Sequence, residues 1–354
     1  MNLTRRQFVS SAAVALIAGC TASGRHNSES AISEPSGLVV DCHVHLFGAG
    51  DGGTGCYLSA KQRKHFTYPF FLRLLGLSEN GRMDQDYVDR IVTQLRKSSV
   101  QKAVLLAQDC RYDSSGKADM ENTSFYVPNE YLLQVTRRFP ELFIPCVSIN
   151  PSRRDSINEL ETCWSSGARI LKIHPPIQNV DPGENRFRNF YRKCAEKSVI
   201  VMVHTGTEHS AEIVGNDFSS PQRLTTPLEE GCTVIAAHSG MSAFFDTQDF
   251  FPQLIDLIHR FPNLYCDTAV LGDKFRWRCI PRMLEHKEVL ERTIYGSDTP
   301  FPSNALVFWN RLSLSKLFSL ATETNLFERD YRLKQALGLP PGVFERGAKL
   351  LGLS

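Results

Sequence analysis

Gly37-Leu38-Val39-Val40-Asp41-Cys42-His43-Val44-His45 joins a short apolar run to a His-X-His pair. The run at 37–42 is one of eight; the others lie at 102–107, 143–149, 168–173, 199–203, 233–237, 263–267 and 293–296. Each is short, rich in aliphatic residues and continuous rather than alternating, the pattern of a strand buried on both faces. Segments with apolar spacing of three and four separate most of them, at 87–97, 129–139, 155–165, 187–197, 250–261 and 280–290, and read as helices. Eight β-α units in this order predict an α/β fold, the closed parallel (β/α)8 TIM barrel. An open doubly wound sheet is the alternative. It would favour a glycine-rich phosphate loop after the first strand, and the sequence has none there.

Alternate side chains of a strand share a face, so Asp41, His43 and His45 are expected to point the same way, into the barrel and toward its mouth. Two neutral imidazoles at i and i+2 can converge on one cation. Other strand ends repeat the theme. Val203-His204-Thr205-Gly206 closes the fifth run, Ala237-His238-Ser239-Gly240 the sixth, and Gly296-Ser297-Asp298-Thr299-Pro300 the eighth. Lys172 and His174, again at i and i+2, end the fourth run before Pro175-Pro176. A single histidine after an apolar run is commonly a core or capping residue, but the ligand-type residues that end the first, fifth, sixth and eighth runs together form a constellation.

As a set these motifs resemble the amidohydrolase superfamily, and within it the amidohydrolase-related branch that includes several nonoxidative decarboxylases. The resemblance runs from residue 38 to the closing Phe344-Glu345-Arg346-Gly347-Ala348-Lys349-Leu350-Leu351-Gly352-Leu353. It implies one divalent ion, Zn²⁺ by preference, on His43, His45, His204 and Asp298, with His238 and Asp298 as the catalytic acid/base groups. Three nitrogen ligands and a carboxylate leave room for water or substrate, and His238 titrates near neutrality. Lys172 and His174 would touch substrate. In other branches a carbamylated lysine on that strand bridges two metals, and a barrel-filling role for Lys172 also stays open.

Hydrolysis of an amide, lactone or ester is the first reaction this implies, and nonoxidative decarboxylation of an aromatic or unsaturated acid the second. Both draw on the same residues. A non-catalytic lipoprotein that binds a metal or metabolite is a third reading, but it has no need of a spare acid/base histidine. Asp267 and Thr268 are read as shaping the pocket, Asp109 as shaping it or capping a helix, and Arg223, Arg276 and Arg278 as anion-gripping or merely solvated.

Outside this core, Thr4-Arg5-Arg6-Gln7-Phe8 resembles a twin-arginine export signal and Leu16-Ile17-Ala18-Gly19-Cys20 a lipobox, with an ordinary cleaved signal as the alternative. The expectation is an exported protein held by a lipid on Cys20 at the periplasmic face of a bacterial membrane. Residues 21–36 would be a solvated tether and 37–354 a single catalytic domain. A net charge of +2 on 354 residues gives no nucleic-acid footprint. Of the ten cysteines, Cys42, Cys146, Cys232 and Cys266 sit inside apolar runs and read as core residues rather than a disulfide framework. An insert at 56–81, with Tyr68-Pro69-Phe70-Phe71-Leu72, would be a lid or subunit contact, or else a helix on the barrel wall. A homo-oligomer is left open.

Overall fold

The computed structural model describes residues 35–213 and 215–353. The stretch read as an export signal, Cys20 and all but the end of the stretch read as a tether lie outside these residues. Eight parallel strands follow in chain order: β1 (Val40–His45), β2 (Lys102–Leu106), β3 (Phe143–Ser148), β4 (Ile170–Ile173), β5 (Ile200–His204), β6 (Val234–Ala237), β7 (Leu264–Asp267) and β8 (Thr293–Ile294). Each pairs with the next. The ring closes where Cys42 N donates to Tyr295 O at 2.9 Å and His45 N donates to Thr299 O at 2.8 Å, just past β8. The expected TIM barrel is what the chain forms.

Both faces of the strands are apolar because both are covered. Val104, Leu106, Cys146, Ile170, Ile200, Met202 and Ile235 fill the barrel, while Leu105, Val147, Leu171, Val201, Val203 and Val234 pack outward. The outer layer meets the helices, among them α1 (Thr67–Leu75), α2 (Met83–Arg96), α3 (Asn129–Arg138), α4 (Ser156–Ser165), α5 (Arg188–Glu196), α6 (Phe251–Arg260) and α7 (Pro341–Leu350). Charges on α2 suit its dipole, with Asp84 and Asp86 in the first turn and Arg96 in the last. Asp84 is also buried and takes hydrogen bonds from Ala49 N at 2.7 Å and Gly50 N at 3.1 Å, which pins the loop after β1. The helix expected at 280–290 is instead two short ones, Cys279–Met283 and Lys287–Leu290, because His286 between them is extended at φ −121°, ψ 91°.

The insert after β1 lines the cavity at the mouth with Phe66, Phe70 and Phe71, while Leu75 packs into the outer core beside α2. Its two helices, Ala60–Lys64 and α1, roof the mouth. Tyr57–Leu58 pairs antiparallel with Phe125–Tyr126 of the loop after β2, and Gln62 Nε2 and Thr67 Oγ1 both donate to Ser210 O of the loop after β5, at 3.0 Å each. At the opposite end, Ser36 N donates to Glu345 Oε1 of α7 at 2.8 Å, so the chain enters at the barrel base. Nine cysteines among the described residues are buried and free, Cys42, Cys146, Cys232 and Cys266 included.

Candidate metal centre at the barrel mouth

The strict alternation expected for Asp41, His43 and His45 is broken. The register of β1 on β2 slips between Asp41 and Val44, one extra residue that bulges the strand. Val40 and Cys42 belong to the inner layer and Val44 to the outer, so His43 and His45 reach the mouth together only because the bulge resets the alternation. Asp41 turns away from them. Its Oδ1 accepts from Ser297 N at 2.8 Å and His43 N at 3.1 Å, and burial pushes its carboxyl up to about 7.

His45 Nε2 lies 3.0 Å and His43 Nε2 3.3 Å from the same oxygen, Oδ1 of Asp298. Ligands held about 2.0–2.2 Å from a tetrahedral ion are separated by about 3.3–3.5 Å, so these three atoms fit one divalent ion. Asp298 reaches this place from a left-handed backbone, φ 71°, a conformation that costs a non-glycine residue about 1–2 kcal/mol. Its amide is held by His43 O at 2.9 Å, which ties the two ligands together.

Asp267, at the end of β7, orients two histidines at once. Its Oδ2 accepts from His43 Nδ1 at 2.8 Å and its Oδ1 from His238 N at 2.7 Å. With Nδ1–H committed to a carboxylate, His43 offers its Nε2 lone pair to a cation. His238 donates Nδ1–H to Ala269 O at 3.2 Å, so its Nε2 is the basic nitrogen and the residue faces the cavity. His238 and Ser239 turn off β6 with φ 64° and 56°.

His204, which the family resemblance puts on one ion with His43, His45 and Asp298, stands next to His174 and Glu208, with the His238 ring between it and His43. Its ligand atom lies within 4.8 Å of those of His174 and Glu208. The His204 ring stacks on that of His174 with centroids 4.4 Å apart, and the residue is 2% exposed, yet neither ring nitrogen has a hydrogen-bond partner. A buried polar group left unmatched costs about 1–3 kcal/mol. His174 is committed on both sides, Nδ1 to Gln108 Oε1 at 3.2 Å and Nε2 to Glu208 Oε2 at 2.9 Å. Lys172 is buried, with Nζ 3.2 Å from His43 Nε2, and is not among the residues that line the cavity.

Glu208 is the residue that sequence reasoning missed. Its signal was an acid four positions beyond a strand-end histidine, in His204-Thr205-Gly206-Thr207-Glu208. Gly206 makes the turn feasible: at φ 87° its absent Cβ would collide with Met241 O of the loop after β6. Asp267 was noticed, but as a pocket wall and not as the partner of two histidines.

Burial dominates the electrostatics. It holds the imidazoles of His43, His204 and His238 well below the usual 6.5, reinforced by Lys172 at His43, by His174 at His204 and by His43 at His238. Burial also lowers Lys172 and raises Asp267. At Glu208 burial pushes upward, but the hydrogen bond with His174 opposes it, and the carboxylate stays well below 4.5. The histidines are therefore neutral near pH 7 and competent as ligands.

These groups open into a cavity of about 1010 Å³, lined by His45, His174, His204, Glu208, His238 and Asp298 at its floor and by Tyr68, Phe70, Phe71, Phe245, Phe275 and Phe301 around it. Phe71 of α1 meets Phe301 edge-on at 4.8 Å. Arg276 is on the wall, nearly buried, with Nη2 donating to Thr207 O at 2.7 Å and Nε without a partner. Of the other residues singled out, Asp109 is buried against Asn150 N at 2.8 Å and Arg223 pairs with Asp181 at 2.9 Å, both away from this cavity.

Solved structures share the fold. A putative 2-pyrone-4,6-dicarboxylic acid hydrolase from Pseudomonas putida is similar at 18% identity, covering 90% of this chain and 98% of its own, with a TM-score of 0.51. The 5-carboxyvanillate decarboxylase of Sphingomonas paucimobilis is similar at 10% identity, covering 90% and 100%, with a TM-score of 0.51. An amidohydrolase from Burkholderia multivorans with bound zinc is similar at 13% identity, covering 90% and 100%, with a TM-score of 0.50. No curated protein sequence matches. The amidohydrolase family model matches residues 40–308, well over half of the chain, and the protein belongs to the amidohydrolase family.

Proposed function

We propose that this enzyme is a metal-dependent hydrolase whose ion is held by His43, His45 and Asp298 and whose substrate is a ring bearing a carboxylate, opened or cleaved at a lactone, ester or amide carbonyl. The observation that carries the reading is the juxtaposition of the three ligand atoms with His238, whose basic Nε2 is fixed by the Nδ1–H bond to Ala269 O on the wall of an aromatic cavity. Bound there, a divalent ion such as Zn²⁺ supplies acidified water, with a pKa lowered from 15.7 to about 7, and polarises a carbonyl oxygen.

The residues divide the remaining work. Asp298 accepts the proton from the attacking water, and His238, neutral with its Nε2 lone pair free, takes that proton over and passes it to the leaving oxygen or nitrogen. Asp267 keeps His43 and His238 in register. Arg276, buried with an unpaired Nε, suits a carboxylate, which matches planar guanidinium geometry. The aromatic residues around the mouth suit a flat ring.

Nonoxidative decarboxylation is the second reading, favoured by the same Arg276 and aromatic wall and by the named activity of the structurally similar decarboxylase. In it His238 or Asp298 protonates the ring carbon that loses CO₂. Metal-loaded protein should be offered pooled lactones, esters and amides beside carboxylated aromatics. Ring opening or ester cleavage without CO₂ release supports hydrolysis. CO₂ release with no turnover of the carbonyl substrates replaces it with decarboxylation, and turnover of neither contradicts both.

We also place the enzyme on the periplasmic face of a bacterial membrane through a lipid on Cys20, from the Arg5-Arg6 and Leu16–Cys20 motifs. Labelling with a palmitate analogue should mark the parent and not Cys20→Ala; equal labelling contradicts the anchor.

A further inference from the structure

We infer that the mouth end of the barrel is a membrane-contact surface, on which α1 and the segment after β8 lay exposed aromatic and aliphatic side chains against a bilayer with anionic headgroups. The inference takes from the reading of Cys20 only that a bilayer is near, and it is independent of the reaction at the metal.

Apolar exposure in this molecule is one-sided. Among the described residues, every exposed large hydrophobic side chain except Leu353 lies in the insert after β1 or in the segments that follow β6, β7 and β8. Six of them, Phe66, Phe70, Leu74, Phe245, Phe275 and Leu306, also line the cavity at the mouth. Single apolar residues scattered over a surface need no explanation, but a contiguous patch marks an interaction site.

Two elements carry their exposed residues as stripes. Phe66, Phe70 and Leu74 recur every fourth residue along α1, counting from the residue before it, and Leu314 and Phe318 do the same on the helix Leu314–Thr322. Residues four apart share a helix face. Each helix already buries another face, with Tyr68 and Leu75 on the first and Leu320 on the second, so the stripes point away from the core. Phe66, Trp309, Leu314 and Phe318 are 67–84% exposed. Leu306 and Ala321 bring the second helix to the rim of the same cavity as α1.

Charge identifies the partner. Residues 60–78 and 299–322 contain no Asp or Glu. They do contain Lys64, Arg73, Arg311 and Lys316, all exposed and, among the described residues, without an ion-pair partner. Trp, Phe and Leu rimmed by Lys and Arg are the composition of a surface that lies in the headgroup region, where anionic lipids attract the cations. A second copy of the chain fits poorly, because about a two-fold axis the same cations would face one another with no acid between them. No described helix is long and apolar enough to cross a bilayer, so the contact runs along its surface. The chain enters at the base, but residues 21–36 can span at most about 55 Å, roughly the width of a domain of this size, which lets the mouth turn to the bilayer.

Full-length protein should be mixed with phosphatidylglycerol vesicles whose acyl chains carry bromine, a short-range quencher of tryptophan emission, and flotation should confirm that it is on the vesicles. Emission should fall, and Trp309→Phe should remove most of the fall. The pair Leu314→Ser and Phe318→Ser, neither residue lining the cavity, should lose most of the quenching with circular dichroism unchanged, and phosphatidylcholine in place of phosphatidylglycerol should reduce it several-fold. Quenching that persists in Cys20→Ala would support the surface without the anchor. Protein that floats with the vesicles while Trp309 stays unquenched would overturn the inference and leave the anchor standing. So would unquenched Trp309 in a particle of doubled mass by light scattering, which would assign the patch to a second copy. Protein that does not float at all would overturn both.

Discussion

Asp267 shows how much of this site depends on residues that touch no substrate. One carboxylate fixes the tautomer of His43 and the backbone of His238, so Asp267→Asn is expected to weaken metal binding by about 10–100-fold, measured by competition with a chromogenic chelator. Unchanged affinity would deny it that role. His238→Asn should keep its metal and lose about 10²–10⁴-fold in turnover, since it removes only the acid/base group. If the metal stays and turnover is intact, His238 is not catalytic. The buried histidines also set a pH dependence. His43, His204 and His238 are held well below 6.5, so in metal-free protein the unfolded state takes up protons below about pH 6.5 that the folded state refuses. Stability is full above that pH and is lost as pH falls, until the folded state protonates too. His204→Gln should flatten the fall in thermal melting on the acid side; parallel curves would contradict it. His43, His45, His204, His238 and Asp298 were legible because each follows an apolar run at a strand end. Glu208 was not, since its partners arrive from β4 and β5 and no local pattern announces them.

At the scale of elements, the strands were easier to read than their registers. Burial on both faces leaves an apolar run that any sequence reading detects, but nothing in Asp41-Cys42-His43-Val44-His45 declares the extra residue opposite β2. The bulge is a product of pairing, and it decides that Asp41 leaves the site while His43 enters. The insert was legible as an addition but not as a roof, because its position depends on contacts to Ser210 and Phe125 far along the chain. With α1 over the mouth, Phe71→Ala is expected to raise KM for an aromatic substrate by roughly 3–10-fold, equivalent to about 1 kcal/mol of lost ring contact, with metal content unchanged. A fall in kcat with KM unmoved would place α1 outside substrate binding.

For the whole molecule, the barrel separates stability from chemistry. The chain enters at the base beside Glu345, the inner layer fills the barrel, and every group assigned a reaction role gathers at the other end. The described cysteines are all buried. Burial pushes the thiols of Cys146 and Cys279 up to about 12, so native protein should react negligibly with a thiol reagent at neutral pH and rapidly once unfolded. The chemistry proposed for the mouth depends on one bound ion. Anomalous diffraction from zinc-loaded crystals, collected on either side of the zinc edge, locates it directly. The prediction is a peak about 2.0–2.2 Å from His43 Nε2, His45 Nε2 and Asp298 Oδ1. A fully loaded crystal with no peak at those three atoms would contradict it.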